Sequence, residues 1–492
     1  MGLVMLSRLP VIAVTMSLAA CAVGPNFKRP TPPSAAGYGN APSQGETHSL
    51  EGTGGNSQRF AEGMDVPGQW WTLFQSTKLS HLVEQAMAAN EDGRAAAAAL
   101  RQAHELYAAQ RSAFLPEVQG SFSTSHSRNA DNSIANPTVS TSPTYSLYTA
   151  QLSLTYALDV FGGTRRLVEA SRAQVEISRF QLEATYLTLS SNVVVTAVQE
   201  ASLRGQIAAT ARLLELQQQL TETVRGQQKL GTASELDLAT QQSAQAQTAA
   251  TLPPLQKQLG QTRDQLTALL GRLPSEEPEE TFQLDELTLP ADLPVSLPSK
   301  LVEQRPDVRA AEANLRVASA QVGVAIADML PQFTLSADSG SSALELGQLF
   351  GPATGFWDAG ASLTQTLFNG GALLHKRRAA DAALDQAGAQ YRAAVILGCQ
   401  NVADTLRALQ ADADGLKASA AADRAARRTF ELAQSQYRLG TLSFVAVLNA
   451  EQTYRQAEIA VVQARANRYS DTAALFQALG GGWWNRPGGN SQ

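Results

Sequence analysis

The chain is written twice, and that repeat constrains its fold more than any other feature. Asp92, Arg94, Leu100, Arg101 and Pro116 recur as Asp307, Arg309, Leu315, Arg316 and Pro331, each pair 215 residues apart. Farther along, Asn192-Val193 recurs as Asn401-Val402, Leu230-Gly231-Thr232 as Leu439-Gly440-Thr441, and Leu270-Gly271 as Leu479-Gly480, all 209 apart. The offset changes once, by six residues, between Pro116 and Asn192, as a shortened loop would make it. A period above 200 residues is too long for a solenoid, so the unit is a duplicated half of one fold.

Each half reads as helix, two strands, long helix, tight turn, helix. The opening helices are expected over about 76–114 and 300–330, ended by Pro116 and Pro331, which offer no amide to the preceding turn. Strands are expected over about 117–126, 151–161, 332–338 and 357–368. In the second of these, Leu152, Leu154, Tyr156, Leu158 and Val160 alternate with small or polar residues over nine positions, the length of a membrane-spanning strand. Trp357, Ala359, Ala361, Leu363 and Leu367 form the matching face of the fourth, which Gln365 interrupts. A soluble half-buried sheet would alternate in the same way. The long stretches 127–148 and 339–355, between them rich in Ser, Asn, Thr and Gly, read as loops at the outer surface.

Two proline-free helical patterns of equal length follow, 163–229 and 372–438. At 1.5 Å per residue each would reach roughly 100 Å, so each needs lateral partners along its length. Both stop at Leu-Gly-Thr, where Gly231 and Gly440 can take the left-handed backbone that ends a helix. Helices resume over about 233–271 and 442–479. Pro253-Pro254 should kink or split the first of them.

Residues 1–20 read as an export signal, with Arg8 before an apolar run. Leu18-Ala19-Ala20-Cys21 resembles a lipobox, which implies cleavage before Cys21 and acylation of its sulfur and amine; several acyl chains hold a protein firmly to a bilayer. Ala22, rather than an aspartate, fits sorting to the outer membrane in the lipoproteins this resembles. An ordinary cleaved signal with a chance cysteine is the alternative. Residues 24–66, rich in Gly, Pro, Ser and Asn, read as a linker or extended arm. The expected divisions are a signal over 1–20, a lipidated linker over 21–66, a first repeat over 67–275, an equatorial connector over 276–299, a second repeat over 300–480 and a tail over 481–492.

The formal charge of −6 gives no basic excess for nucleic acid. The five histidines are scattered, and no CxxC, His-x-x-x-His or phosphate loop occurs, so neither metal nor cofactor nor catalysis is expected. With Cys21 lipidated, Cys399 has no intrachain partner. Four strands cannot close a membrane barrel, and lipid does not tolerate an open edge. Two copies would give eight strands around a filled core, and three would give twelve around a lumen.

Cys21-Ala22-Val23-Gly24-Pro25-Asn26-Phe27, Trp70-Trp71-x-x-Phe74 and Arg305-Pro306-Asp307-Val308-Arg309-x-Ala311-Glu312 resemble stretches of the TolC-like outer-membrane efflux factors, NodT-type lipoprotein branch. The likeness covers nearly all of the mature chain. It implies a mainly α fold with transmembrane β: a homotrimer forming a twelve-stranded outer-membrane β-barrel continued by a twelve-helix periplasmic α-barrel. It also implies docking to a periplasmic adaptor and, through it, to an inner-membrane pump. Leu230, Gly231, Thr232, Leu439, Gly440 and Thr441 would then form the docking tip. Asp237, Tyr437, Arg438 and Asn449 are the gate candidates, although the family often has an acid where this chain has Asn449. For Asp237 the competing reading is helix electrostatics. Glu235 is expected to complete a capping box with Thr232. Thr164-Arg165-Arg166 and His375-Lys376-Arg377-Arg378 are expected to snorkel to lipid headgroups. A protein-secretion exit duct and a non-conducting envelope spacer remain alternatives to a small-molecule efflux duct.

Overall fold

The structure is a computed structural model describing residues 22–35, 37–39, 45–52, 54–128 and 144–486. Cys21 and the leader lie outside the described residues, as do 129–143 and 487–492. Numbered in chain order, the strands are β1 (Arg59–Glu62), β2 (Glu117–Arg128), β3 (Thr144–Leu158), β4 (Asp292–Val295), β5 (Gln332–Ala343) and β6 (Gly355–Thr364). The helices are α1 (Thr77–Ala89), α2 (Glu91–Ser112), α3 (Gly163–Lys229), α4 (Glu235–Leu269), α5 (Pro298–Gln304), α6 (Pro306–Ala327), α7 (Ala372–Arg438) and α8 (Phe444–Ala478). Contacts group them into two compact units. No helix among the described residues is long and apolar enough to cross a membrane.

The first unit holds Ala22–Arg29 and the described residues of Arg101–Ile177 and Ala311–Tyr391. Its centre is an antiparallel sheet in the order β2-β3-β5-β6, so the two halves of the repeat meet at β3 and β5. Residues paired across neighbouring strands point to the same side. The register aligns Val118 with Leu154 and Ala337, and Leu158 with Phe333 and Leu363. One face is therefore apolar through all four strands, while Gln119, Ser153, Asp338 and Asp358 share the other. On that apolar face Val118, Phe122, Leu152 and Trp357 are exposed, Trp357 at 80%. The strands run farther into the supposed loops than their sequence suggested, but β6 ends at Thr364. Gln365 interrupts the alternation because the strand is over; its amide turns to the Met329 carbonyl.

The Gly24-Pro25-Asn26-Phe27 stretch is part of this unit rather than a free linker. The Val23 amide donates to the Phe161 carbonyl, and Gly24 rests on Gly323 so closely that a Cβ there would sit 2.4 Å from the Gly323 Cα. Arg166, 4% exposed, donates to the Val23 carbonyl at 3.1 Å and to Asn26 Oδ1 at 2.8 Å, and pairs with Glu169. Arg165 pairs with Asp159, whose two oxygens also accept from the Thr164 and Arg165 amides. The expectation that these two arginines snorkel is thereby corrected. Asp159 and the arm hold cations at a helix start that would otherwise repel them. His375, Lys376, Arg377 and Arg378 are exposed, as a headgroup contact would require.

The second unit holds the described residues of Pro30–Leu100, Ser178–Ala310 and the chain from Arg392 to Arg486. Its core gathers Trp70, Phe74, Leu82, Phe282, Tyr469 and Phe476, with Trp70 stacked on Phe476 at 5.3 Å. Such a pair adds about 0.5–1.5 kcal/mol beyond area burial. Here too the arm is structural: β1 pairs in parallel with β4, and buried Arg468 donates to the Gly54 and Asn56 carbonyls. The single opening helices expected over 76–114 and 300–330 are each two helices. The first breaks at Asn90, whose extended backbone ends α1 while its side chain accepts from the Gly93 amide. The second breaks at Arg305, because the residue before a proline is driven out of the helical region. The break residues act alike: Asn90 Nδ2 donates to the Leu269 carbonyl and Arg305 Nη1 to the Ala478 carbonyl, tying each break to the end of its half's last helix. Arg305 also grips Asp307 with two bonds, at 3.0 and 2.7 Å. Pro253-Pro254 do not split α4, which runs through them.

Candidate functional site

The two helix turns are built alike. Gly231 and Gly440 both have φ of 73°. At each, two amides fold back: Thr232 N to the Gln227 carbonyl and Gly231 N to that of Gln228, then Thr441 N to Gln436 and Gly440 N to Tyr437. This paired closure needs a left-handed residue, hence glycine. The threonines are there for a reason of their own: Thr232 and Thr441 each send a hydroxyl to the same carbonyl their amide reaches, at 3.0 Å. Beside the turns, Leu230, Leu236, Leu439 and Val445 stand exposed in matching pairs, Leu230 at 80% and Leu439 at 76%.

The capping box belongs to Ser234 and Asp237, not to Thr232 and Glu235. Ser234 Oγ accepts from the Asp237 amide, and Asp237 accepts from the Ser234 amide and hydroxyl. These bonds hold the Asp237 carboxyl below its ordinary acidity range. The gate candidate is thus engaged as a helix start within its own chain. In the second copy Ala446 takes its place, and Ser443 makes no side-chain cap.

Of the other gate candidates, Tyr437 bridges helices: its hydroxyl donates to Gln227 Oε1 at 2.9 Å, joining α7 to α3, and its ring packs 5.2 Å from that of Phe444. Burial, and then the charge of Asp237, raises the phenol above its usual value. Arg438 is exposed and donates to the Gln434 carbonyl of its own helix, at 3.4 Å. Asn449 lines two recesses, one of about 450 Å³ between α3, α4 and α8 and one of about 500 Å³ between α7 and α8.

Sequence reasoning missed the first recess's most unusual group. Glu451 is 1% exposed, and no group among the described residues closes a well-formed hydrogen bond to either carboxylate oxygen, although the Gln217 side chain lies close enough to favour its charge. Burial pushes its carboxyl up to about 7, against the opposing influence of Gln217 and Arg455. The signal was present: Glu451 falls on the stripe of Phe444 and Val447 at helical spacing, a charge written into a buried face.

This architecture has known counterparts. Residues 82–272 and 297–481 match the family model described as outer membrane efflux protein. The pyoverdine export outer membrane protein OpmQ of Pseudomonas putida is 30% identical over 97% of both chains. The cation efflux system protein CusC of Escherichia coli is 26% identical over 96% of this chain and 97% of its own. Among solved structures, the outer-membrane channel OprN superposes with a TM-score of 0.83 at 28% identity, covering 94% of this chain and all of the other. Two family matches that fall on the two halves of the repeat, and a shared channel fold, lead to one statement: the chain belongs to the outer membrane efflux protein family.

Proposed function

We propose that this chain is the outer-membrane duct of an efflux pump. Three copies would close twelve strands into a passive barrel, anchored by acylated Cys21 and fed by an inner-membrane pump through a periplasmic adaptor. The observation that carries this is the sheet. Its outer strands β2 and β6 have no further strand partner among the described residues, and its apolar face is exposed in the single chain. Unpaired edges and apolar faces are incompatible with lipid and with water respectively unless copies join edge to edge around a hole. Relatives named for pyoverdine export and cation efflux favour small-molecule cargo. The family is one of channels, not of enzymes, and the work assigned here is conduction.

The turn end is the docking and gating end. Leu230, Leu236, Leu439 and Val445 offer an apolar surface to the adaptor around Gly231, Thr232, Gly440 and Thr441. The Tyr437–Gln227 bond is the in-chain latch between helices that must part. A single such bond contributes about 1 kcal/mol, weak enough for reversible opening. Planar-bilayer recording tests the proposal: Tyr437→Phe should raise open probability about fivefold over the parent. Absence of conductance from both proteins, reconstituted and correctly folded, would overturn the duct.

A further inference from the structure

The two halves of the repeat turn the same corner with opposite chemistry. Both long helices leave the sheet at one end of it, since the register aligns Leu158 with Phe333 and Leu363. α3 begins at Gly163 and α7 at Ala372, 209 residues apart, so the repeat matches the two corners residue by residue. Asp159, which takes Arg165 and two amides in the first corner, corresponds to Phe368 in the second. Arg165 corresponds to Leu374, and arm-bound Arg166 to His375. The cations of the first corner are thus satisfied inside the chain.

The second corner carries its cations differently. Lys376, Arg377 and Arg378 follow His375, all of them exposed, and no acid occurs from Gln365 to Ala380. Among the described residues neither Lys376 nor Arg378 has an ion-pair partner, and Arg377 reaches Asp381 only at 3.9 Å, with both side chains about half in water. The dipole at a helix start disfavours cations, so α7 gains no stability as a helix from this run. Just before it Leu367 is 92% exposed and Phe368 89%. Gly370 and Gly371, with φ of 64° and 86°, turn the chain between the apolar pair and the cations.

Apolar and cationic groups side by side, neither satisfied by their own chain, ask for a partner that is apolar at one end and anionic at the other. We propose that the second corner, Leu367 to Arg378, is a docking site for an anionic phospholipid. Lys376, Arg377 and Arg378 hold its phosphate, and Leu367 and Phe368 lie against its acyl chains. The site rests on the duct reading, which puts this corner where the apolar band ends. On β6 that band runs through Trp357, Ala359, Ala361 and Leu363, and the strand stops one residue later. Long cationic side chains just beyond such a band reach headgroups while their neighbours stay in the acyl region. A soluble anion would leave Leu367 and Phe368 in water. A zwitterionic lipid offsets the attraction with its own cation. Each Lys or Arg near an anionic lipid surface strengthens binding about fivefold, so three of them give a preference of about fivefold to a hundredfold.

Native mass spectrometry of the full-length protein in detergent tests this, with phosphatidylglycerol and phosphatidylcholine of matched acyl chains as probes. The parent should retain phosphatidylglycerol at least about fivefold better. Lys376→Ser, Arg377→Ser and Arg378→Ser together should bring that preference within about twofold of unity. Leu367→Ser with Phe368→Ser should lower retention of both lipids and keep the preference. Serines at Arg424, Arg427 and Arg428, exposed on α7 roughly 75 Å farther along, remove the same charge and should leave the preference intact. A parent without preference, a corner variant that keeps it, or a distant variant that loses it equally would each overturn the site. So would a corner variant that falls into single chains with its preference unchanged, since the cations would then belong to the contact between copies. The same spectra count subunits, so the two readings fail separately: single chains that keep the preference would sink the duct, and trimers without it would sink the lipid site. Far-UV circular dichroism and melting of each variant secure that folded proteins are compared.

Discussion

The sheet register makes a prediction that separates a membrane face from a lumen face one residue apart. Leu154 and Ser153 are neighbours on β3, an interior strand whose pairing with β2 and β5 lies within one chain. Leu154 lies on the apolar face between Val118 and Ala337, whereas Ser153 lies on the opposite face between Gln119 and Asp338. An arginine on the lipid face of a barrel costs about 2–4 kcal/mol near the bilayer midplane, falling toward 0–1 near the interfaces. Leu154→Arg should therefore cost about 2–4 kcal/mol per chain, or roughly 30- to 1000-fold in the folded fraction. Three copies per barrel would triple that sum. Ser153→Arg should cost under about 1 kcal/mol, because its guanidinium meets water and the Asp338 carboxylate. The assay is equilibrium urea unfolding of protein refolded into phosphatidylcholine vesicles, followed by tryptophan fluorescence. Equal costs at the two positions, or a larger cost at Ser153, would refute the assignment of faces.

Further expectations concern the arm and the turns. Arg166→Met removes charge-assisted bonds to Val23, Asn26 and Glu169, about 2–4 kcal/mol, and should speed tryptic cleavage after Lys28 or Arg29 by tenfold or more; an unchanged rate would count against the docked arm. Ser234→Ala should cost about 0.5–2 kcal/mol, seen as faster exchange at the start of α4, whereas Ala446→Asp should slow exchange at the start of α8 by supplying the missing partner for Ser443. The Asp237 carboxyl is depressed by its Ser234 bonds, so the stability of this cap is present at neutral pH and is lost as pH falls through the depressed value. Exchange protection at 235–240 that stays constant down to pH 2 would contradict it.

Much of this was legible because it is periodic. Two proline-free stretches between glycine signals defined α3 and α7 over 163–229 and 372–438, since nothing within them offers the chain a reason to stop. Alternation located the sheet's faces. What stayed hidden depends on side chains meeting across sequence distance. Asn90 looks like an ordinary polar residue in a helical stretch until the Leu269 carbonyl arrives to receive it. Arg166 looks like a headgroup contact until the arm wraps it, and the arm looks like a linker because its buried members, Tyr38, Gln58 and Phe60, are spread among glycines and serines. Asp237 and Glu235 both suit a first turn, and only the position of the true cap, Ser234, selects between them. Pro253-Pro254 do not interrupt α4, although residues 249–260 around them are half-buried or exposed.

The central claim is that copies of this chain complete one another's sheets around a lumen. Single-particle imaging of the full-length protein, extracted in mild detergent, tests it most directly. The account predicts threefold particles with a continuous hole and twelve strands, β2 of each copy beside β6 of the next. A monodisperse single-chain particle, or a closed assembly in which β2 and β6 remain unpaired, would contradict it.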